Sequence, residues 1–322
     1  MKTTKMWLLA VIFLAFAAVS CDKDDEEESI NEAQLMVEYL ESAEGGNYAN
    51  TKMPAIMVAE DVKKAATAGT AYLVDIRKED DYNGGHVEGA VWVDSQQVLA
   101  HLEGTDADDG KDVIIICYSG QTAGWATSLL RMAGYDNAYS MKFGMCSWNA
   151  DFAGSWNGNI SNDYASVFEK TDVPKGETGE LPVIETGLTT GKEILMARID
   201  AVFAEGFGAA KVTNQTVIGA TDSYYIVNYW GQTDYDNYGH IPTAMQYTPK
   251  EAIAVDVDLK TLPTDEPVVV YCWTGQTSAN MAAYLRVIGY NAQSLLFGAN
   301  GMIYDELDGH KWSEGAIMGY DY

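Results

Sequence analysis

The sequence predicts an α/β protein made of two consecutive domains, each a mostly parallel open sheet with helices on both faces. Three observations predict this. Short apolar, β-branched runs alternate with helical patterns, and strands separated by helices pair in parallel beneath them. The same ordered set of segments occurs twice at a nearly constant offset, most visibly where Cys117-Tyr118-Ser119-Gly120-Gln121-Thr122 recurs as Cys272-Trp273-Thr274-Gly275-Gln276-Thr277. The chain has 322 residues at 47% hydrophobic content, enough for two cores rather than one.

Residues 1–20 stand outside the fold. Lys2 and Lys5 precede an apolar run over 6–19 that is too short to span a bilayer, the pattern of an export signal. It ends in Ala18-Val19-Ser20-Cys21, which resembles a bacterial lipobox. That resemblance implies lipidation of Cys21; a secreted chain with an unmodified Cys21 is the alternative. Residues 21–30 carry the run Asp22-Lys23-Asp24-Asp25-Glu26-Glu27-Glu28, a solvated acidic tether. The run is similar to a surface-export signal of lipoproteins in Bacteroidetes-like bacteria. The expected location is therefore extracytoplasmic, anchored by lipid to a bacterial membrane. The second resemblance implies the outer membrane and the cell surface, while the membrane face stays open.

The first domain is expected over 31–160. A helix over 31–44 carries Leu35, Met36, Tyr39 and Leu40 at helical spacing and closes on Gly45-Gly46. Ala55-Ile56-Met57-Val58 reads as a strand, 59–67 as a helix and Tyr72-Leu73-Val74-Asp75 as a second strand. The run Val113-Ile114-Ile115-Ile116 then leads into the Cys117 loop, and the following helix ends at Gly134-Tyr135. A linker over 161–190 contains Pro174, Gly176 and Pro182.

The second, diverged domain is expected over 191–322. Its opening helix, 192–205, carries Leu195, Met196, Ile199 and Phe203 and closes on Gly206. Thr216-Val217-Ile218 reads as the edge strand, and Gly219-Ala220-Thr221-Asp222 as a short replacement for the helix at 59–67. Tyr225-Ile226-Val227-Asn228 and Val268-Val269-Val270-Tyr271 match the inner strands, and the helix after Cys272 ends at Gly289-Tyr290.

Each repeated loop sets a cysteine at the carboxyl end of a strand, on a glycine turn into a helix. Backbone N–H groups and the positive helix end there face the sulfur, so a lowered thiol pKa and a reactive thiolate are expected. A buried, inert cysteine is the other reading. Asp75, Cys117 and Cys146 all follow or end strands, so they are expected at one rim of the sheet. Cys117, Cys146 and Cys272 are odd in number, which leaves a thiol free in any oxidising compartment. No Cys-x-x-Cys occurs, and His86, His101, His240 and His310 are scattered, so neither a metal site nor a cofactor is expected. The formal charge is −27, and more negative once Lys2 and Lys5 are removed. A chain so acidic offers no basic face to nucleic acid.

Together, Tyr72-Leu73-Val74-Asp75-Ile76-Arg77, Gly85-His86-Val87-Glu88-Gly89-Ala90, the Cys117 loop and Gly144-Met145-Cys146-Ser147-Trp148 resemble, in order, the motifs of the rhodanese-like domain family. The second copy keeps Gly239-His240-Ile241-Pro242 and the cysteine loop but has Asn228 and Trp230 in place of the Asp-x-Arg pair. The resemblance implies a tandem sulfurtransferase that moves sulfane sulfur from thiosulfate or a persulfide donor to a thiol or other thiophilic acceptor. Cys117 would carry the persulfide, with Cys272 as a second candidate. The N–H groups of Tyr118, Ser119, Gly120, Gln121 and Thr122 would cradle the terminal sulfur, as Trp273, Thr274, Gly275, Gln276 and Thr277 would in the second copy. A six-residue loop suits sulfur rather than phosphate. Many active relatives have arginine at the sixth position, where this chain has Thr122 and Thr277. That weakens attraction for an anion unless a nearby cation, Arg131 or Lys142, replaces it. Asp75 and Arg77 read as a supporting ion pair, His86 and His240 as packing residues, and Cys146 as a core residue or a resolving thiol. Two other readings stay open: a non-catalytic module that binds partners or senses reactive sulfur, and a thiol redox protein using Cys117 with Cys146.

Overall fold

The structure, a computed structural model, describes residues 31–106 and 109–322. The expected export signal, the tether and Cys21 lie outside the described residues. Among the described residues, ten strands form two separate sheets, each with five parallel strands. In the first they are β1 (Ile56–Met57), β2 (Ala71–Asp75), β3 (Val91–Trp92), β4 (Asp112–Ile116) and β5 (Ala138–Met141), in the spatial order β1-β5-β4-β2-β3. In the second they are β6 (Lys211–Val212), β7 (Tyr225–Asn228), β8 (Met245–Gln246), β9 (Val268–Tyr271) and β10 (Ala292–Leu295), in the order β6-β10-β9-β7-β8. The two orders are identical position by position. Each cysteine loop leaves the central strand, β4 or β9, whose residues, Asp112 apart, are buried on both faces.

The α-helices of the first half, among the described residues, are α1 (Glu32–Glu41), α2 (Tyr48–Thr51), α3 (Ala59–Ala68), α4 (Glu79–Asn83), α5 (Val98–Glu103), α6 (Gln121–Met132), α7 (Met145–Trp148) and α8 (Gly154–Asn157). The second half has α9 (Gly191–Glu205), α10 (Asn214–Ile218), α11 (Gln232–Tyr238) and α12 (Gln276–Ile288). Helix α1 starts where Asn31 Oδ1 accepts the Gln34 N–H at 3.0 Å. It buries Ala33, Met36, Val37 and Leu40, a single face at helical spacing. Helix α9 starts at Thr190, which caps the Glu193 N–H while its hydroxyl bonds the Glu193 carboxylate at 2.6 Å.

One expected strand is corrected. Thr216-Val217-Ile218 lies in α10, and the edge strand is β6, a few residues earlier. Thr213 Oγ1 accepts the Thr216 N–H at 3.2 Å and so begins a helix straight after Val212. Only Val217 of the triplet is fully buried, which a single helical turn accomplishes as well as a strand. The second copy therefore keeps a shortened helix where α3 stands, rather than losing it.

Helices α6 and α12 pack face to face and join the halves. Gly124 makes the approach possible: a Cβ there would stand 2.9 Å from both the Gln276 carbonyl oxygen and Asn280 Nδ2. Ser128 donates to the Asn280 carbonyl at 2.9 Å, and the Tyr48 hydroxyl to Asn280 Oδ1 at 3.1 Å. One apolar core runs beneath both helices, from Val74 and Trp125 in one half to Val227 and Leu285 in the other. Residues 161–190 form no helix or strand. The last residues return to the first half, where the Met318 and Tyr320 N–H groups donate to the carbonyls of Ser147 and Trp148.

Candidate active site

Cys117 directly follows β4 and is 4% exposed. Its Sγ accepts the N–H of Gly120 at 3.1 Å and of Ala123 at 3.3 Å. The turn depends on Gly120, whose φ of +86° lies in the left-handed region. Of the expected cradle, Tyr118 to Thr122, Gly120 supplies a bond to Sγ, and the second comes from Ala123, one residue beyond. Ala123 lies in the first turn of α6, whose N–H groups have no partner within the helix. Placing the helix start from the glycine turn makes that donor readable. Cys272 likewise follows β9, but its sulfur is bonded to Ser278, one residue beyond the expected cradle of Trp273 to Thr277. Its Sγ accepts the Ser278 N–H at 3.3 Å and lies 3.6 Å from Ser278 Oγ.

The expected acidic thiol is not what Cys117 provides. Burial pushes its pKa up, the N–H groups of Ala123 and Gly120 oppose that shift, and the negative charge of Asp75 adds to it. Desolvation outweighs the helix end because the sulfur is sealed within the main core. Cys146 lies close by in the chain fold, its N–H bonded to the Tyr118 carbonyl at 3.1 Å. Its thiol donates to the Phe152 carbonyl at 3.0 Å, and burial raises its pKa to about 12. Cys117, Cys146 and Cys272 are all free thiols.

Asp75 and Arg77 form a buried bidentate ion pair, with Arg77 Nη2 2.7 Å from Asp75 Oδ2. Arg77 also donates to the Gly85 carbonyl and places its guanidinium 5.5 Å from the centre of the Tyr118 ring. In the second half Trp230 stacks on Trp273 at 4.0 Å instead, and Asn228 donates to the Tyr271 hydroxyl at 2.7 Å. The loss of Asp-x-Arg thus exchanges a cation under the loop aromatic for an indole. His86 bonds the Tyr82 carbonyl through Nδ1, and His240 is fully buried between the carbonyls of Ile241 and Thr171. Arg131 donates to the Ala138 carbonyl at 2.9 Å, near the far end of α6 from the loop.

The two loops meet. Gln121 Oε1 accepts the Phe297 N–H at 2.8 Å, and Gln276 Oε1 accepts the Phe143 N–H at 3.3 Å. Each glutamine, buried, thereby crosses to the strand end that supports the other loop. Each also presses on the opposing turn: a Cβ on Gly120 would meet Gln276 Nε2, and one on Gly275 would meet Gln121 Oε1. Phe143, Trp156, Phe297 and Trp312 pack edge-to-face and stacked around this junction, and Trp156 Nε1 donates to the Ser119 carbonyl at 3.1 Å. These aromatic and glutamine contacts were not anticipated from the sequence. Their one signal is repetition at the domain offset.

A cavity of about 270 Å³ opens on Cys272, Trp273, Thr277 and His310, faced from the first half by Val58 and Lys142. Thr122, like Thr277, is partly exposed at its helix start.

Residues 58–151 and 221–302 match the family model described as Rhodanese-like domain. The thiosulfate sulfurtransferase GlpE of Shewanella oneidensis is 33% identical over 82 residues, which is 26% of this chain and 79% of that protein. GlpE of Pseudomonas entomophila is 31% identical over 90 residues, 28% of this chain and 81% of that protein. A solved thiosulfate sulfurtransferase from Pseudomonas aeruginosa aligns with 91% of this chain and 48% of its own, at 18% identity and a TM-score of 0.31.

Proposed function

The chain belongs to the rhodanese-like domain family, and on that premise we propose that it is a sulfurtransferase which carries sulfane sulfur as a persulfide on a loop cysteine. The observation that supports this most is the pair of N–H groups, from Gly120 and Ala123, that converge on Cys117 Sγ at the end of a parallel strand. Preorganised donors of this kind stabilise negative charge on sulfur without rearranging during the reaction.

With thiosulfate as donor, the cysteine thiolate attacks the outer sulfur. The S–S bond breaks and its electron pair leaves with sulfite, so that Cys–S–S⁻ and sulfite replace Cys–S⁻ and thiosulfate. An acceptor thiolate or cyanide then takes the outer sulfur and returns Cys–S⁻. No metal or cofactor is required. Cys117 and Cys272 are the candidate nucleophiles, and Asp75 and Arg77 support the first loop from below. The thiolate forms at the expense of a raised pKa, so the reaction at Cys117 speeds up with pH. We also place the protein outside the cytoplasm, held to a membrane by lipid on Cys21.

The burial of Cys117 favours one second reading, a module that binds partners or senses reactive sulfur without turnover. Steady-state formation of thiocyanate from thiosulfate and cyanide separates the two. Turnover by the wild-type chain, lost in Cys117→Ser combined with Cys272→Ser, supports transfer. Absence of turnover with thiosulfate and with organic persulfides leaves the binding reading. A redox pair is disfavoured by the Cys146 thiol, which is engaged with the Phe152 carbonyl.

A further inference from the structure

We propose that Lys142, which belongs to the first half, is the anion-binding residue of the cavity over Cys272, and that this cavity takes a sulfane-sulfur donor bearing a sulfonate-type anion. The inference rests on the sulfur-transfer reading and assigns the charge recognition that Thr277 does not supply.

The cavity lies on the seam between the halves. One wall is the second cysteine loop, and the other is Ile56, Val58 and Lys142 at the ends of β1 and β5. Lys142 is fixed on both sides. Its own N–H donates to the Met57 carbonyl at 2.8 Å, and the next N–H, of Phe143, bonds Gln276 Oε1 of the opposing loop. The same residues that latch the two loops therefore hold the lysine backbone against the Cys272 site.

Its charge is available. No carboxylate pairs with the Lys142 ammonium among the described residues, and the ammonium stands 5.1 Å from the centre of the Phe143 ring. The chain carries 47 acidic residues, yet none lines this cavity. The hydroxyls of Thr274 and Thr277 and the imidazole of His310 complete a polar wall without negative charge. A cation in such a place serves an incoming anion. The duplication supplies an internal comparison. The position of Lys142 in the first half, just before Phe143-Gly144, corresponds to Leu296, just before Phe297-Gly298, in the second. Leu296 packs on the core that contains Cys117. Only the Cys272 side thus receives a cation from its neighbour at this position.

A second cavity of about 270 Å³ shares Val58 and Lys142 with the first, and Ala59, Phe143, Ala316 and Met318 give it a mainly apolar lining. Ser147 also lines it, as does Glu60, whose carboxylate pairs with Lys64 at 2.9 Å. Lys142 stands where the two meet. That placement suits a donor with its anionic group at the lysine, its sulfane sulfur at Cys272 and a short apolar substituent beyond. Thiosulfate and an alkanethiosulfonate share the required chemistry. The second cavity separates them, since only the latter places an alkyl group there.

Binding measured without chemistry tests the assignment. The full chain with Cys117→Ser and Cys272→Ser is titrated calorimetrically with thiosulfate and, separately, with an alkanethiosulfonate. Adding Lys142→Met is expected to weaken binding of both about tenfold, the loss of one charge-assisted contact. Lys142→Arg keeps affinity within about threefold and shows that the site tolerates substitution when the charge stays. Met318→Ala, which of the two cavities alters only the second and adds no charge beside Lys142, weakens the alkanethiosulfonate alone. Equal affinity in the Lys142→Met chain, or no binding of either anion to the parent, overturns the proposal. Sulfur uptake by the wild-type chain is read separately by mass. Lysine-dependent binding without uptake leaves this inference standing and removes the transfer reading, whereas uptake with lysine-independent binding does the reverse.

Discussion

At Cys117 two opposing effects act on one sulfur atom. The helix start brings N–H groups to it, and burial removes the water that would otherwise stabilise its charge. Burial prevails, so the pKa lies above that of an ordinary thiol. Because the folded-state pKa is raised, the neutral thiol adds stability that is complete below the ordinary thiol range of about 8.5. That contribution disappears as pH climbs through the folded value. Alkylation of Cys117 by iodoacetamide, followed by peptide mapping across pH, is expected to rise steadily above pH ~8.5. A plateau reached below about pH 7 would mean that the thiolate is stabilised after all. The sequence placed Cys117 between a strand and a glycine turn into a helix, as the structure has it, because these are local patterns. It gave no access to the pKa, since that depends on the core that covers the sulfur from distant segments.

Among the elements, α6 and α12 decide how the loops are presented. Their contact relies on Gly124, beside which the opposing backbone leaves no space for a side chain. Gly124→Val is expected to destabilise the fold by about 1–3 kcal/mol, the usual cost of forcing bulk into a packed interface. It should also disturb both Gln121 and Gln276, so chemical denaturation and loop reactivity are expected to shift together. Unchanged stability would remove this contact from the account. The alternation of strands and helices along both halves was legible, because β-branched runs and glycine stops recur in each, whereas the order of the strands across each sheet comes from the structure. The β6–α10 boundary was not, because Thr216-Val217-Ile218 has strand composition while Thr213 caps a helix. Nor did the sequence reveal the glutamine latch, whose partners, Phe297 and Phe143, lie across the pseudo-symmetric interface.

For the molecule as a whole, the duplicated halves share a core and are stitched by long-range polar contacts. The Glu32 carboxylate accepts the N–H groups of Thr186 and Gly187 together with the Thr186 hydroxyl, which ties α1 to the segment before α9. Buried tyrosines lie on both sides of the shared core. Burial raises the pKa of Tyr48, Tyr271 and Tyr284, and that of Tyr229 to about 12. Their neutral forms support folding fully below the ordinary tyrosine value of about 10, and this support is lost as pH rises through the folded values. Alkaline titration is therefore expected to unfold both halves in one transition, with phenolate absorbance and helical circular dichroism changing together. Two separated transitions would contradict a shared core.

The central claim, that a loop cysteine carries sulfur, is tested most directly by weighing the intact chain after incubation with thiosulfate and removal of excess donor. The account predicts a gain equal to one sulfur atom per occupied cysteine, mapped to Cys117 or Cys272 and absent when both are serine. An unchanged mass with thiosulfate, alkanethiosulfonate and polysulfide alike, or a loss of two hydrogens with Cys117 linked to Cys146, would contradict it.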